Sequence, residues 1–375
     1  MPKPSILEVI DLFKAREGGY WNYRIPCLAV TGSGVVLATA EARPEHGGDY
    51  DQNDLILRRS VDGGENFEPP TLIVRREDYG EGPVHNLVLI PNPVGTRVVA
   101  LFCHDYARVF TMVSEDDGAS FHPAVEITDL FEGFRGAYDW SVCATGPGHG
   151  LRLRNGRMVV PVWLSDGSWG EFGPKYRSHR PSIVASIFSD DDGETWQRGE
   201  IVCRDGDRFN DILIRNPSET VAVELHDGGV MFNIRNDSEP RRRLIAISGD
   251  GSGGWRVRGF DPTLPEPACM GSMVRLNGSG SDQLGRILFS NPASLENNLI
   301  PPGTIFAHDR SRLTVRMSED DGQTWVEELV LEAGPAGYSD LAVGRDGRVM
   351  CLYECGMVNH MFDPQSVRLG RFWVR

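Results

Sequence analysis

The chain of 375 residues has no long hydrophobic run and comparatively little basic charge. No apolar stretch approaches the roughly 20 residues of a transmembrane helix, and the first ten residues lack the apolar segment of a signal peptide. There are 38 Lys and Arg against 53 Asp and Glu, so the formal net charge is −15. Nucleic acids and anionic membranes need a basic surface, so neither is a predicted partner. A local basic cluster can still bind an acidic small molecule.

A location in the cytoplasm is the prediction from this missing signal, with secretion or export to the periplasm as the alternative if a signal was trimmed. Cysteine usage agrees with a reducing compartment. Seven Cys is an odd number, and no two form a CxxC pair; Cys351 and Cys355 are the closest. This usage predicts buried, reduced thiols.

Linkers and low-complexity tracts are also absent from the sequence, and no long helical period stands out. All-β domains often exceed the usual domain length, and 43 Gly with 24 Pro fit many turns. We therefore expect a single all-β domain over residues 1–375.

One eight-residue motif recurs along the chain. Its pattern is Ser-x-Asp-x-Gly-x-Thr-Trp, with copies beginning at Ser60, Ser114, Ser189 and Ser318 and a decayed copy at Ser248. A short run rich in β-branched and aromatic residues precedes each copy, as expected for a strand. Asp and Ser side chains stabilise tight turns by bonding nearby backbone N–H groups, and Gly tolerates positive φ. The motif thus predicts a hairpin turn whose acids are structural.

This motif is the Asp-box, and it resembles the repeat of bacterial neuraminidases. A signature that recurs once per supersecondary unit is typical of propeller blades, and the resemblance implies a six-bladed β-propeller with its site at the central axis. Strand-like residues 6–13 and 366–375 are predicted to pair in one blade and close the ring. Asp-boxes also occur outside hydrolases, so the function must be argued from the site.

Further motifs resemble those of sialidases. The run Tyr-Arg-Ile-Pro at residues 23–26 is similar to the family's Arg-Ile-Pro motif, which makes Arg24 the first arginine of a substrate-binding triad. In the family, the polar loop that follows carries an arginine and then the acid/base aspartate. Arg43 matches that arginine, and Asp49 best matches the aspartate, with Asp51 as the near rival.

The second half of the chain continues the resemblance. Glu219 and Arg235 have the spacing of the family's general base and second triad arginine, while Glu224 fits less well because it lies in a strand-like run. Arg310 fits the third triad arginine by its position ahead of the Leu-Thr-Val-Arg strand, with Arg312 as the rival.

The segment Tyr-Ser-Asp-Leu at residues 338–341 matches the segment that holds the catalytic tyrosine of the family, so the resemblance implies Tyr338 as the nucleophile. The resemblance assigns no role to two further regions. Residues 81–105 depart from the family pattern. Residues 163–180 form an aromatic-rich loop that either walls the pocket or packs on a blade.

These residue types suit the chemistry of an acid sugar. Three arginines can bind its anomeric carboxylate through charge-assisted, partly bidentate hydrogen bonds. A neutral tyrosine avoids the repulsion that a carboxylate nucleophile would meet, but its ordinary pKa of about 10 requires a base, which Glu219 supplies. Asp49 protonates the leaving oxygen and later activates water. We therefore expect a desolvated Asp49 that stays protonated.

The resemblance implies an exo-α-sialidase that releases terminal α-linked sialic acid with retention, through a tyrosyl intermediate and with no metal or organic cofactor. The predicted partner is a sialylated glycan or another acid-sugar glycoside. Three alternatives stay open. One is a glycosidase of a related nonulosonic acid, such as a deaminated sialic acid, which the changed residues 81–105 suggest. The second is a non-catalytic sugar-binding propeller, and the third is a sialidase that transfers the sugar to an acceptor other than water.

Overall fold

The computed structural model describes residues 6–276, 285–300 and 308–374, which fold almost entirely into antiparallel β-sheets. Within these residues the helical content is one turn of α-helix, α1 (Asp129–Glu132), and one 3-10 turn (Arg76–Asp78). No helix in this described part is long and apolar enough to cross a membrane. The predicted all-β class is confirmed.

The first half of the described chain forms three sheets. Its strands are β1 (Ile6–Lys14), β2 (Asn22–Val30), β3 (Val36–Arg43), β4 (Asp54–Ser60), β5 (Thr71–Val74), β6 (Val84–Pro91), β7 (Val98–His104), β8 (Arg108–Ser114), β9 (Val125–Glu126), β10 (Val142–Thr145), β11 (Gly148–His149), β12 (Leu151–Arg152), β13 (Met158–Ser165), β14 (Ser182–Ser189) and β15 (Gln197–Arg204). The sheet orders are β2-β3-β4-β5, β11-β6-β7-β8-β9 and β10-β13-β14-β15, with β12 paired to β13.

The second half continues with a small hairpin and two larger sheets. Its strands are β16 (Arg208–Phe209), β17 (Ile212–Leu213), β18 (Thr220–Glu224), β19 (Val230–Ile234), β20 (Arg242–Ser248), β21 (Arg256–Pro265), β22 (Ser272–Arg275), β23 (Ile287–Pro292), β24 (Ser311–Ser318), β25 (Val326–Val343), β26 (Val349–Cys355) and β27 (Ser366–Phe372). The orders are β16-β17, β18-β19-β20-β21 and β1-β27-β26-β25-β24-β23-β22.

Hydrophobic clusters between the sheets arrange them as in a propeller. One cluster joins the β2–β5 sheet to the β6–β9 sheet, and a second continues through the β10–β15 sheet to β18–β20. Two more run from there through β22–β24 to β26 and β27. The last cluster packs β26 and β27 against β2 and β3, so the series returns to its start. Central strands are buried on both faces for this reason, as all eight residues of β3 show.

The four full Asp-boxes form the turns between β4 and β5, β8 and β9, β14 and β15, and β24 and β25. In the copy before β25, Ser318 Oγ donates to Asp320 Oδ1 at 2.8 Å and accepts from the Gly322 N–H at 2.8 Å. Asp320 Oδ1 also accepts from the Thr324 N–H at 2.8 Å, and the Trp325 ring is buried. The other three full copies make equivalent bonds. The predicted hairpin turns with structural acids are confirmed.

The two ends of the described chain lie side by side. Strand β1 pairs antiparallel with β27, for example Val9 with Gly370 and Asp11 with Arg368. The Arg368 guanidinium also binds the Asp11 carboxylate at 2.7 Å. The predicted pairing of the first and last strands is confirmed.

All seven cysteines are buried and none forms a disulfide. Burial raises the pKa of Cys103 to about 11 and that of Cys269 to about 12. The thiols therefore stay protonated and unreactive at neutral pH, because the thiolate is the nucleophilic form. The predicted buried, reduced cysteines are confirmed.

Candidate active site

A cavity of about 480 Å³ lies where strand ends and loops from all of the larger sheets meet. Its wall contains every residue that the motifs selected: Arg24, Arg43, Asp49, Glu219, Arg235, Arg310 and Tyr338. They come from β2, the end of β3 and its loop, the two ends of the β18–β19 hairpin, the residue before β24, and the middle of β25. The fold thus gathers side chains that are more than 300 residues apart in the chain. In residues 6–276, 285–300 and 308–374, no group of three or more His, Cys, Asp or Glu is placed to hold a metal ion.

Tyr338 lies at the centre of a hydrogen-bonded trio. Its hydroxyl donates to Glu219 Oε1 at 2.5 Å and accepts from Arg235 Nη1 at 2.7 Å, and Arg235 also pairs with Glu219 Oε2. Tyr338 is 5% exposed. Burial, with the Glu219 charge, raises the pKa of Tyr338 above its ordinary value despite the nearby arginines. The phenol is therefore neutral, and Glu219 is in position to take its proton.

Arg24 is held beside Tyr338 by a buried glutamate. Arg24 Nε donates to Glu354 Oε1 at 3.0 Å. The same carboxylate accepts from the Ile25 N–H at 3.0 Å and from the Tyr338 N–H at 3.1 Å. The Arg24 guanidinium lies 5.3 Å from the centre of the Tyr338 ring. Glu354 thus positions a cation and the tyrosine backbone together, and it satisfies the charge of the buried arginine.

Arg310 brings a second cation to the tyrosine ring. Its guanidinium lies 5.1 Å from the ring centre of Tyr338 and 4.8 Å from that of Phe362. Nη2 donates to the Ala268 carbonyl at 2.9 Å, while the buried Nε has no hydrogen-bond partner among the described residues. A buried N–H without a partner costs free energy, which a ligand in the cavity would recover.

The rival of Arg310 points elsewhere. Arg312 is exposed and pairs with Glu327 at 3.0 Å, away from the cavity. Its φ of +58° turns the chain at the start of β24, so that the side chains of Arg310 and Arg312 do not share a direction. The geometry therefore places Arg310, and not Arg312, on the cavity wall.

Asp49 stands between two arginines. Its Oδ1 lies 3.0 Å from Arg43 Nη1 and 3.7 Å from Arg24 Nη1. Arg43 is fully buried and is also paired with Glu41 at 2.6 Å. Asp51 instead accepts from the His46 N–H at 2.7 Å and stabilises the loop, outside the cavity lining.

The protonation expected of Asp49 needs correction. Burial raises the pKa of Asp49, but the charges of Arg43 and Arg24 oppose it, and the resulting pKa is below the ordinary range. The side chain is also 32% exposed. The expectation that Asp49 stays protonated is therefore wrong, because two cations face the carboxylate and outweigh its desolvation.

The cavity wall also contains residues that motif reasoning did not select. The 163–180 loop contributes Trp163, Phe172 and His179 to the lining, so it walls the cavity. The His179 ring lies 4.4 Å from the ring centre of Tyr106, and two polar atoms, His179 Nε2 and Trp163 Nε1, have no hydrogen-bond partner in the described part of the chain. The aromatic-rich sequence of this loop was the only signal of its role.

The divergent region 81–105 also reaches the cavity. Asn86, near the start of this region, and Tyr106, directly after its end, both line the cavity wall. Asn86 has a φ of +54° and its N–H donates to Glu41 Oε1 at 2.9 Å. A backbone conformation of this kind leaves no recognisable pattern in a single sequence, which explains why the contribution was not predicted.

The chain belongs to the family of proteins with a BNR repeat-like domain, which matches residues 34–351. It is 29% identical to a sialidase of Micromonospora viridifaciens over 92% of this chain and 52% of that protein. It is 26% identical to Sialidase-3 of Mus musculus over 93% of this chain and 91% of that protein. The chain thus spans about half the length of the Micromonospora relative. The predicted resemblance to sialidases is confirmed.

Solved structures show the same fold. A Hadza microbial sialidase, Hz136, superposes with a TM-score of 0.77 at 21% identity, over 97% of this chain and 68% of that chain. The Trypanosoma rangeli sialidase in complex with the inhibitor DANA superposes with a TM-score of 0.73 at 20% identity, over 97% and 59%. The latter enzyme in complex with 2,3-difluorosialic acid, described as a covalent intermediate, gives a TM-score of 0.71 at 19% identity, over 98% and 59%.

Proposed function

We propose that this protein is an exo-α-sialidase that hydrolyses terminal α-linked sialic acid with retention, using Tyr338 as the nucleophile. The hydrogen bond from the Tyr338 hydroxyl to Glu219, inside a cavity whose lining includes the predicted arginine triad, carries this proposal. The sialidase names of the similar proteins support it. We further propose one domain of six blades, because β25 pairs with β24 through residues 326–335 and with β26 through residues 336–343, which divides the seven-stranded sheet into two sheets of four strands.

Substrate binding follows from the positions of the three arginines. Arg24 and Arg310 lie against the Tyr338 ring, and Arg235 donates to its hydroxyl. A carboxylate that accepts hydrogen bonds from all three would sit next to the tyrosine oxygen, with the anomeric carbon within reach of it. Charge-assisted bonds to a planar guanidinium favour this orientation.

Two displacements at the anomeric carbon complete the reaction. In the first, Tyr338 Oη forms a bond to the carbon while its proton passes to Glu219, and the bond to the leaving oxygen breaks as that oxygen takes a proton from Asp49. In the second, Asp49 removes a proton from water, the water oxygen bonds to the carbon, the bond from the carbon to Tyr338 Oη breaks, and the phenol recovers its proton from Glu219. Two inversions give net retention.

The low pKa of Asp49 in the free protein requires the substrate to restore the acid. A bound carboxylate compensates the charge of Arg24, and a glycan in the cavity displaces water from Asp49. Both changes favour the protonated carboxyl. The general acid is thus formed on binding, while the free protein keeps a stable ion pair.

We therefore expect the pH profiles of kcat/KM and of kcat to fall at different pH values on the alkaline side. The profile of kcat/KM reports the free protein, in which the pKa of Asp49 lies below the ordinary value of about 4, so kcat/KM should already be falling at the acid end of the measured range. The limb of kcat reports the complex and should lie at least about one pH unit higher. Rates measured between pH 3.5 and 8 with an aryl α-sialoside test this. Asp49→Asn should lose both limbs and most activity, and Asp51→Asn should keep both. Coincident limbs in the wild type would contradict the substrate-induced protonation.

The function itself is tested by product analysis. Purified protein and an aryl α-sialoside are followed by proton NMR, and the α-anomer of free sialic acid should appear before the β-anomer. First release of the β-anomer would exclude retention. If only a deaminated sialoside is cleaved, the enzyme belongs to the related acid-sugar class. If neither is cleaved but calorimetry shows binding, the protein is a sugar-binding propeller.

A further inference from the structure

Asp340 lies in β25 between Tyr338, which lines the candidate active site, and Leu341, which lines a second cavity of about 680 Å³. It is fully buried, and its carboxylate accepts five hydrogen bonds. The donors are Leu28 N at 2.8 Å, His149 N at 3.0 Å, His149 Nδ1 at 2.7 Å, Ser272 Oγ at 2.8 Å and Leu341 N at 3.1 Å. They come from β2, β11, β22 and β25, so one carboxylate joins four strands that belong to three sheets.

The contacts of His149 define its charge. Nδ1 faces Asp340 Oδ1, and Nε2 faces the Met273 carbonyl oxygen at 3.1 Å. A carboxylate and a carbonyl only accept hydrogen bonds, and a neutral imidazole has a single N–H. Both contacts are therefore satisfied only by the doubly protonated ring. Four other donors, three backbone N–H groups and the Ser272 hydroxyl, already point at the two oxygens of Asp340, so we assign the proton between Nδ1 and Oδ1 to the ring and describe the pair as an imidazolium and a carboxylate.

The carboxylate of this ion pair and the tyrosine belong to the same strand. Tyr338 and Asp340 are two residues apart in β25, and the pairing of β25 with β26 is irregular between Ala336 and Ser339, so the tertiary contacts of Tyr338 show where its ring lies. The Tyr338 ring packs in one cluster with Ile25, next to Arg24, and with Met270, two residues before Ser272. Strand β11 passes so close that a Cβ on Gly148 would meet Met270 Cε at 2.7 Å. The bonds to Asp340 therefore fasten the strands that carry Tyr338 and Arg24.

We propose that His149 is a positioning residue: its imidazolium, paired with Asp340, holds β25 against β2, β11 and β22 and thereby sets the position of Tyr338 relative to Arg24. The consequence for catalysis rests on the proposed function, whereas the charge of His149 does not. Loss of the ring proton would place a lone pair against the Met273 oxygen and loosen this junction.

Other ionisable groups surround the pair. Arg152 from β12, Glu224 from β18 and Arg275 from β22 line the second cavity, which His149 also lines. The thiols of Cys27 and Cys351 lie near the Asp340 carboxylate. In the described part of the chain, Asp340 is the ionised group that contacts the imidazole directly.

The sign of the pH effect follows from the direction of the shift. Burial lowers the pKa of His149, but the charge and hydrogen bonds of Asp340 outweigh it, so the pKa is raised. The stabilisation of the fold by the His149–Asp340 ion pair is fully present below the ordinary His pKa of about 6.5. It is lost as the pH rises through the higher pKa that His149 has in the folded state.

The charge is measured without substrate, which keeps this test separate from the test of function. In the folded wild type, the imidazole C2–H NMR signal of His149, assigned by heteronuclear correlation, should titrate above pH 6.5, the ordinary value for a free histidine. In Asp340→Asn the signal should titrate at least one pH unit lower. A neutral His149 in the wild type at pH 6.5 would overturn the proposal.

The positioning role has a kinetic readout. His149→Gln should lower kcat on the order of 10-fold, because a small displacement of a reacting group is costly. In the wild type, kcat should also fall over the pH range in which the NMR signal of His149 titrates, and this fall should be missing in His149→Gln. His122→Gln, an exposed histidine away from both cavities, is the matched control. A folded His149→Gln protein with the kcat and pH profile of the wild type would refute the role; if that variant does not fold, the same comparison is made with Asp340→Asn.

Discussion

Replacing Tyr338 by Phe is expected to lower kcat for an aryl α-sialoside by on the order of 10³-fold or more, because the substitution removes the atom that bonds to the anomeric carbon. The ring stays, so its packing with Ile25 and Met270 is retained and the fold should persist. KM should change much less than kcat, because the arginines that bind the carboxylate remain. Release of the aryl group by the purified variant measures the effect.

The matched control for this substitution is Tyr353→Phe. Tyr353 is a buried tyrosine on the neighbouring strand β26, outside the cavity, so the loss of its hydroxyl should leave kcat near the wild-type value. A reagent such as 2,3-difluorosialic acid gives a second readout. It should add mass to the peptide that contains Tyr338 in the wild type and not in Tyr338→Phe. Labelling of another residue would disprove the assignment of the nucleophile.

Arg310→Lys should raise KM about 10- to 100-fold. This change corresponds to a total loss of about 1.5–3 kcal/mol of binding free energy, as expected when charge-assisted hydrogen bonding to the carboxylate is weakened. Lys keeps the positive charge but lacks the planar fork that binds a carboxylate through two atoms. It also lacks the Nε that is buried without a partner on the cavity wall. Initial rates over a range of substrate concentrations separate KM from kcat.

Arg312→Lys is the control for position. Arg312 is exposed and paired with Glu327, so the variant should have wild-type KM and kcat. Equal losses in the two variants would show that the effect is not specific to the cavity. A loss confined to Arg312→Lys would transfer the role in binding from Arg310 to Arg312.

The Asp-boxes were predicted well because their structure is local. Ser318, Asp320, Gly322 and Thr324 bond to one another within one short turn, so the residue types in order are sufficient. The pairing of the terminal strands was also predictable, since both segments have the pattern of a strand and a closed ring leaves no unpaired edge. A location in the cytoplasm stays a prediction.

The site was predictable as a set of residues but not as a geometry. The motifs selected seven side chains that the fold brings to one cavity, and left open Asp49 against Asp51 and Arg310 against Arg312. The choice depends on how the loop at residues 46–51 and the turn before β24 direct their side chains. Neither conformation leaves a periodic pattern in the chain, so sequence reasoning could not decide it.

The sequence by itself determined the all-β class, the turns and the chemical types at the site, because these follow from residues that act on their neighbours or from motifs in a fixed order. Only the tertiary structure decided the electrostatics. Asp49 is ionised because Arg43 and Arg24 converge on it, and His149 is charged because Asp340, 191 residues away in the chain, lies 2.7 Å from its ring. The ionisation state of a side chain depends on its distance in space to other charges, and the order of residues in a chain does not specify that distance.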